Sequence, residues 1–287
     1  MKDSRGWKAR IALILIIVLT FTVLFLKVPL YYQARSYVVM YAFSKYEEKK
    51  SLLETQNISI KIPGGSSTKE KDWYPFVMVF NDHQGFSRYM NRELSLTVLY
   101  NFGSFSWNKS SSSYFQEESP YYNSFYGGYL VKDNSGDQIY GFNAEGEPEV
   151  KEIIAVPEYD YKHLVLESLG CPKDKLTMEI LSYNIEEDVQ YAGLSDWSRI
   201  DALLLVNSPD HKLREDRRAY IQFGNPLKRE DKEDFKLMTT NGRVYLRYFP
   251  EFESTIFLYI LAPQLLTLEK CDEEILGKTV IAKKSKL

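Results

Sequence analysis

Between Ile11 and Leu26 the chain runs for sixteen residues without a charged side chain, and Lys27 closes the run. A helix rises about 1.5 Å per residue and crosses the hydrocarbon of a bilayer in roughly 20 residues, with about 17 as a lower bound. The run alone is slightly short. Ala9 and the residues from Val28 to Tyr32 extend it, and Arg10 and Lys27 can reach toward the head groups along their aliphatic stems. The sequence therefore predicts a transmembrane anchor over residues 11–30. A cytoplasmic tail, residues 1–10, precedes it, and a single extracytoplasmic domain, residues 31–287, follows.

Orientation follows from the flanks. Lys2, Arg5, Lys8 and Arg10 stand before the run against one acid, Asp3, whereas only Lys27 and Arg35 follow closely. The more basic flank stays inside, which places the C-terminal domain outside. A cleaved signal peptide is the rival reading. It calls for a small-x-small exit, but Leu26-Lys27-Val28-Pro29-Leu30-Tyr31-Tyr32 is bulky throughout.

The whole chain carries a formal charge of -3. Residues 1–10 hold four basic side chains and one acidic one, so the exported part is near -6. Such a domain has no electrostatic reason to bind nucleic acid, and a basic protein partner suits it better. Two cysteines, Cys171 and Cys271, are too few for a disulfide scaffold, so the fold must hold by burial. With 44% apolar residues, the composition allows an adequate core.

Local patterns give the elements. Ala34 to Glu54 reads as a helix leaving the membrane, with Tyr37, Met40, Tyr41 and Phe43 as its apolar positions. Ile58, Ile60 and Ile62 alternate as in a strand and stop at Pro63-Gly64-Gly65. Pro75 to Phe80 and Leu94 to Phe102 are further strands around a short helix, Phe86 to Asn91, and the Ser-rich stretch from Gly103 to Glu118 predicts a loop. Tyr121 to Val131 and Gln138 to Phe142 suggest a hairpin across Asp133-Asn134-Ser135-Gly136. Glu158 to Leu169 reads as a helix ended by Gly170 and Pro172. Strands are expected at Leu176 to Tyr183, Ala202 to Val206, Ala219 to Phe223 and Thr255 to Leu261, although a buried helix fits the last run almost as well, and the tail from Lys283 to Lys286 as a solvated basic end. Asn241-Gly242, between Phe235 to Thr240 and Arg243 to Phe249, fits a type I′ hairpin turn. The expected class is α+β: an antiparallel sheet with helices on one face, preceded by one transmembrane helix.

No motif announces a reaction. The three histidines each stand near a carboxylate, as Asp82-His83, Asp160 with His163, and Asp210-His211, but none has zinc or calcium spacing, so neither a metal nor a cofactor is expected. Nucleophile elbows and phosphate-cradling glycine loops are lacking, and the pairs Glu117-Glu118 and Glu186-Glu187 read as surface charges. The aromatic segment Ser119 to Tyr129 is more informative, because Tyr set among Ser, Asn and Gly is typical of protein-binding surfaces. In a strand, Tyr122, Ser124 and Tyr126 share one face, and Tyr121, Asn123 and Phe125 share the other. One of the two sets is then core, which limits how much of the segment can be exposed to a partner. Trp107, Tyr121, Tyr122, Tyr126 and Tyr129 are the candidate contacts.

Leu99-Tyr100-Asn101-Phe102-Gly103, then Ser119-Pro120-Tyr121-Tyr122-Asn123-Ser124-Phe125-Tyr126-Gly127, then Val156-Pro157-Glu158-Tyr159-Asp160-Tyr161 together resemble the TipC-type immunity proteins of streptococci. The resemblance covers about a quarter of the chain. It implies a membrane-tethered, outward-facing protein of a Gram-positive cell that neutralises an exported LXG-class toxin by binding it. Two other classes fit the residues: an envelope hydrolase with Asp160 and His163 or Asp82 and His83 in its site, and an envelope sensor or assembly factor working through the juxtamembrane helix.

Overall fold

The computed structural model describes residues 4–27, 38, 41–63, 78–101, 124–136, 138–168, 170–208 and 235–284. Ser4–Lys27 forms α1, a 24-residue helix with exposed large apolar side chains between Ile11 and Val23. Among the described residues no helix is long and apolar enough to cross a membrane. The expected span runs past them into residues 28–30. The strand expected at Ala219 to Phe223 and the loop from Gly103 to Glu118 also lie outside the described residues.

Seven antiparallel strands form the main sheet in the order β2-β3-β4-β8-β7-β6-β5. They are β2 (Met78–Asn81), β3 (Leu94–Asn101), β4 (Phe125–Asp133), β5 (Met178–Tyr191), β6 (Leu194–Asn207), β7 (Leu237–Phe249) and β8 (Ser254–Ala262). A second sheet pairs β1 (Ile58–Lys61) with β9 (Val280–Lys283). The α-helices after α1 are α2 (residues 41–48), α3 (Leu52–Thr55), α4 (His83–Met90), α5 (Val150–Tyr159) and α6 (Leu265–Glu274). A π-helix, Asp160–Leu166, follows α5 directly.

The expected antiparallel α+β class holds, but helices cover both faces of the sheet rather than one. Every residue of β8 is buried, and so are eight of the nine in β4. A strand that is apolar on both sides needs cover on both sides. Tyr129, Phe257, Tyr259 and Leu261 join the larger core with residues of α4, α5 and the π-helix. Tyr126, Leu130, Ile256, Leu258 and Ile260 join the smaller core with residues of α3, β1 and α6. Cys171 lies in the larger core and Cys271 in the smaller, both as thiols.

Four local expectations are overturned. Asn241-Gly242 is no turn, since both residues lie inside β7, where Gly242 pairs with Ala202 and Leu261. A Cβ on Gly242 would come within 3.1 Å of Leu204 and 3.2 Å of Leu261, so glycine here admits neighbouring leucines. The hairpin of 121–131 with 138–142 is absent as well. β4 pairs with β3 and β8, although Asp133 does turn the chain by accepting from the Ser135 amide. The helix expected from Glu158 begins at Val150 and carries Pro157 inside it. Proline removes a helical hydrogen bond, and the π-helix opens soon afterwards at Asp160. Lys283 and Lys284, expected in a solvated tail, hold the chain end in place: Lys283 pairs with Ile58, and Lys284 bridges to Glu54 at 2.6 Å.

Gly127 sets the spacing at the sheet centre. It pairs with Tyr100 on β3 and Tyr259 on β8, and a Cβ there would run into the Leu99 carbonyl oxygen and approach the Tyr259 ring to 3.2 Å. Backbone on one side and a buried ring on the other cannot both yield. Gly127→Ala is expected to destabilise the fold by roughly 3 kcal/mol. Chemical unfolding of the full chain in mild detergent measures this, and a loss below about 1 kcal/mol contradicts the close approach.

Candidate interaction surface

Two of the five aromatic contacts expected from sequence, Tyr126 and Tyr129, are not presented to a partner. Tyr126 and Tyr129 are each 1% exposed, one in each core, because β4 is a central strand with cover on both faces. In the described part of this segment both faces are interior. Trp107, Tyr121 and Tyr122 lie outside the described residues.

Tyr129 belongs to a buried polar cluster instead. Its hydroxyl donates to Asp160 Oδ2 at 2.7 Å, the Tyr100 hydroxyl donates to Oδ1, and Tyr259 bonds the same carboxylate. The Tyr129 and Tyr259 rings stack at 4.4 Å. Burial raises the Asp160 carboxyl to about 7, against the opposing pull of the three phenols. Asp82 makes a smaller version of this link. It caps α4 by accepting from the Gly85 amide at 2.9 Å, and it accepts from the Tyr159 hydroxyl at 2.6 Å.

The expected acid–histidine pairs do not assemble. Asp160 turns to the tyrosines, while His163 Nδ1 lies 2.5 Å from Glu167 Oε1. His83 accepts the Leu96 amide at Nδ1, at 3.0 Å. One turn further along α4, the Ser87 hydroxyl is engaged twice by Leu94, donating to its carbonyl and accepting from its amide. His211 lies outside the described residues. Among those described, no group of three His, Cys, Asp or Glu side chains is placed to hold a metal. A cavity of about 430 Å³ beside Asp133 and Tyr140 has charged walls, but the charges answer one another: Lys132 bridges Glu253 at 2.6 Å, and Arg92 bridges Asp133.

Among the described residues, an exposed margin of the main sheet lies at β5. This strand pairs with β6 on one side, and among the described residues no strand pairs with its other side. Of its residues only Met178 is buried; Leu181 is 51% exposed and Tyr183 55%. Register gives the strand two unlike faces. Ile180, Tyr183 and Ile185 stand opposite Leu204, Ala202 and Ile200, on the side of the larger core. Glu179, Ser182, Asn184 and Glu186 stand opposite Leu205, Leu203, Asp201 and Arg199, on the other side. Leu181 falls at a register shift. The strand MEILSYNIEEDVQY carries four acids and no basic residue. Sequence patterning marks Leu176 to Tyr183 as a strand but stops it short, and the signal for its exposure is the run Glu186-Glu187-Asp188.

No protein-family model, curated protein or solved structure matches the chain.

Because the folded state raises the Asp160 pKa above its ordinary value, the fold favours the protonated acid. Its stability contribution is full below about pH 4 and is lost as pH rises to about 7, amounting to a few kcal/mol. Asp160→Asn is expected to flatten that part of the stability–pH profile. Unfolding midpoints measured from pH 4 to pH 8 test this, and an equal slope in both proteins contradicts it.

Proposed function

We propose that this chain is a membrane-tethered extracytoplasmic binding protein, an immunity protein that neutralises an exported antibacterial toxin by direct binding. The observation that carries the binding role is the exposed β5 margin, which joins apolar side chains, a strand edge and acidic charge in one place. The apolar helix α1, led by a basic N-terminus, supports a single-pass tether with the domain outside. Tethering serves such a role physically. It keeps the inhibitor in a thin layer beside the membrane and so raises its effective concentration where a membrane-directed toxin acts.

The resemblance to TipC-type immunity proteins supports the same reading. Tyr100 and Asp160, from two of the three segments that carry it, meet directly, and Gly127 from the third pairs with Tyr100. Those three residues are buried and serve the architecture of the domain.

A susceptible cell expressing the full chain is expected to survive each cognate toxin among those encoded beside its gene. Removing residues 1–30 is expected to lower protection at equal expression. Unaltered killing by every such toxin overturns the immunity reading, and full protection by the truncated chain overturns the role of the tether.

A further inference from the structure

We infer that the outer edge of β5 is a strand-addition site for an extended protein segment that alternates apolar and basic residues. The inference rests on the binding role proposed above and adds the chemistry of the partner. Three properties of β5 select that occupant. An edge strand presents a row of unpaired N–H and C=O groups, which a further strand can satisfy. Here the regular register from Ser182 to Glu186 provides the straight stretch on which to pair. The side-chain alternation then fixes the chemistry, because an added strand continues both faces of the sheet. On the larger-core side it meets Ile180 and Tyr183, both exposed, and places apolar residues beside them. On the opposite side it meets Glu179, and past the regular stretch Glu187 and Asp188 lie exposed along the same strand.

Charge decides between a foreign segment and a second copy of this chain. Two β5 edges laid together would gather eight acids, four from each strand, with no cation on either, and such an accumulation of like charge disfavours the pair. A lysine- or arginine-bearing strand gains on the same positions. The Arg199 guanidinium on β6 does not cancel this preference, since it is bound to Glu186 at 2.5 Å and to Asp201 at 3.0 Å. Glu179 and Glu187, exposed on either side of the straight stretch and outside its regular register, are the acids chosen to test that discrimination.

The test uses the full chain in detergent micelles and a capped peptide of alternating lysine and valine, roughly eight residues long. Amide hydrogen exchange is expected to slow within β5 when the peptide is added, and a peptide of alternating glutamate and valine is expected to have no effect. Glu179→Lys combined with Glu187→Lys should weaken binding at least about tenfold and transfer the preference to the acidic peptide. Both positions are exposed, so an unchanged circular dichroism spectrum and melting point confirm that the variant folds. Unchanged exchange in β5, equal binding of the two peptides, or unchanged affinity in the variant overturns the inference. So does a peptide-free dimer whose β5 amides are already protected, which assigns the edge to a second copy. Peptide binding without protection from any toxin removes the immunity role and leaves the edge site; protection without peptide binding does the reverse.

Discussion

The Asp160 carboxylate gathers phenol groups from β3, β4 and β8, three neighbouring strands at the centre of the sheet, while the acid itself begins the π-helix. Much of the larger core is arranged around that junction. A buried carboxylate without partners is costly, and three hydroxyl donors offset part of the cost only if helix and strands keep one relative position. Two unusual backbone features meet the same demand. Gly127 leaves room between the strands that carry Tyr100 and Tyr259, and the wider π turn carries Asp160 where α5, already interrupted by Pro157, would have continued. The link between Asp82 and Tyr159 ties α4 into the same arrangement one layer out.

A second set of polar contacts governs the opposite face. Arg243 on β7 donates to Asp201 on β6 at 2.5 Å and to Asp272 on α6 at 2.6 Å. Asp272 also accepts from Tyr191 at 2.5 Å and from Tyr245 at 2.8 Å. Tyr191 and Tyr245 stack on one another, so the end of β5 is held to β7 and α6 by rings as well as by its ladder. Beyond α6 the chain returns to pair β9 with β1, next to α3. Ser44 on α2 accepts the Val79 amide at 2.9 Å, and Asn81 donates to the Glu47 carbonyl at 2.7 Å. The helix α2, which follows the expected membrane span, is therefore part of the folded domain and not a loose stalk.

Periodicity makes the sheet legible, and context decides most of what it conceals. The apolar run Thr255 to Leu261 gives the bounds of β8 almost to the residue but not its type, because a strand buried on both faces lacks the alternation that tells it from a buried helix. Leu94 to Phe102 and Ile58 to Ile62 do read as strands. Asn241-Gly242 misleads because the pair that best fits a type I′ turn is also compatible with close strand packing, and Leu204 and Leu261 require the missing Cβ. The tight turn falls instead between Tyr191 and Leu194, and it uses Ala192 at φ 49, a conformation that alanine adopts at a cost and that sequence rules do not assign to it. The tyrosines of β4 carry a surface vocabulary in a core setting. What makes them interior is cover from elements distant in sequence, such as β8, which no local pattern encodes. Asp160 stands out in sequence as the neighbour of His163, yet its partners come from the sheet.

The β5 margin follows from how the two cores are filled. Burial falls away across the sheet: every residue of β8 is buried, six of fourteen in β6, Trp197 among them, and only Met178 in β5. Strand β5 is then held chiefly by its ladder to β6, by the tight turn at Ala192-Gly193 and by the Tyr191 contacts at its end. A long exposed edge with apolar side chains invites indiscriminate pairing. Four acids and three register shifts limit that hazard in different ways. The shifts shorten the straight pairing stretch, and the acids repel a second copy while leaving an oppositely charged strand unopposed. The residues that keep this edge soluble are thus the residues that give it a preferred partner.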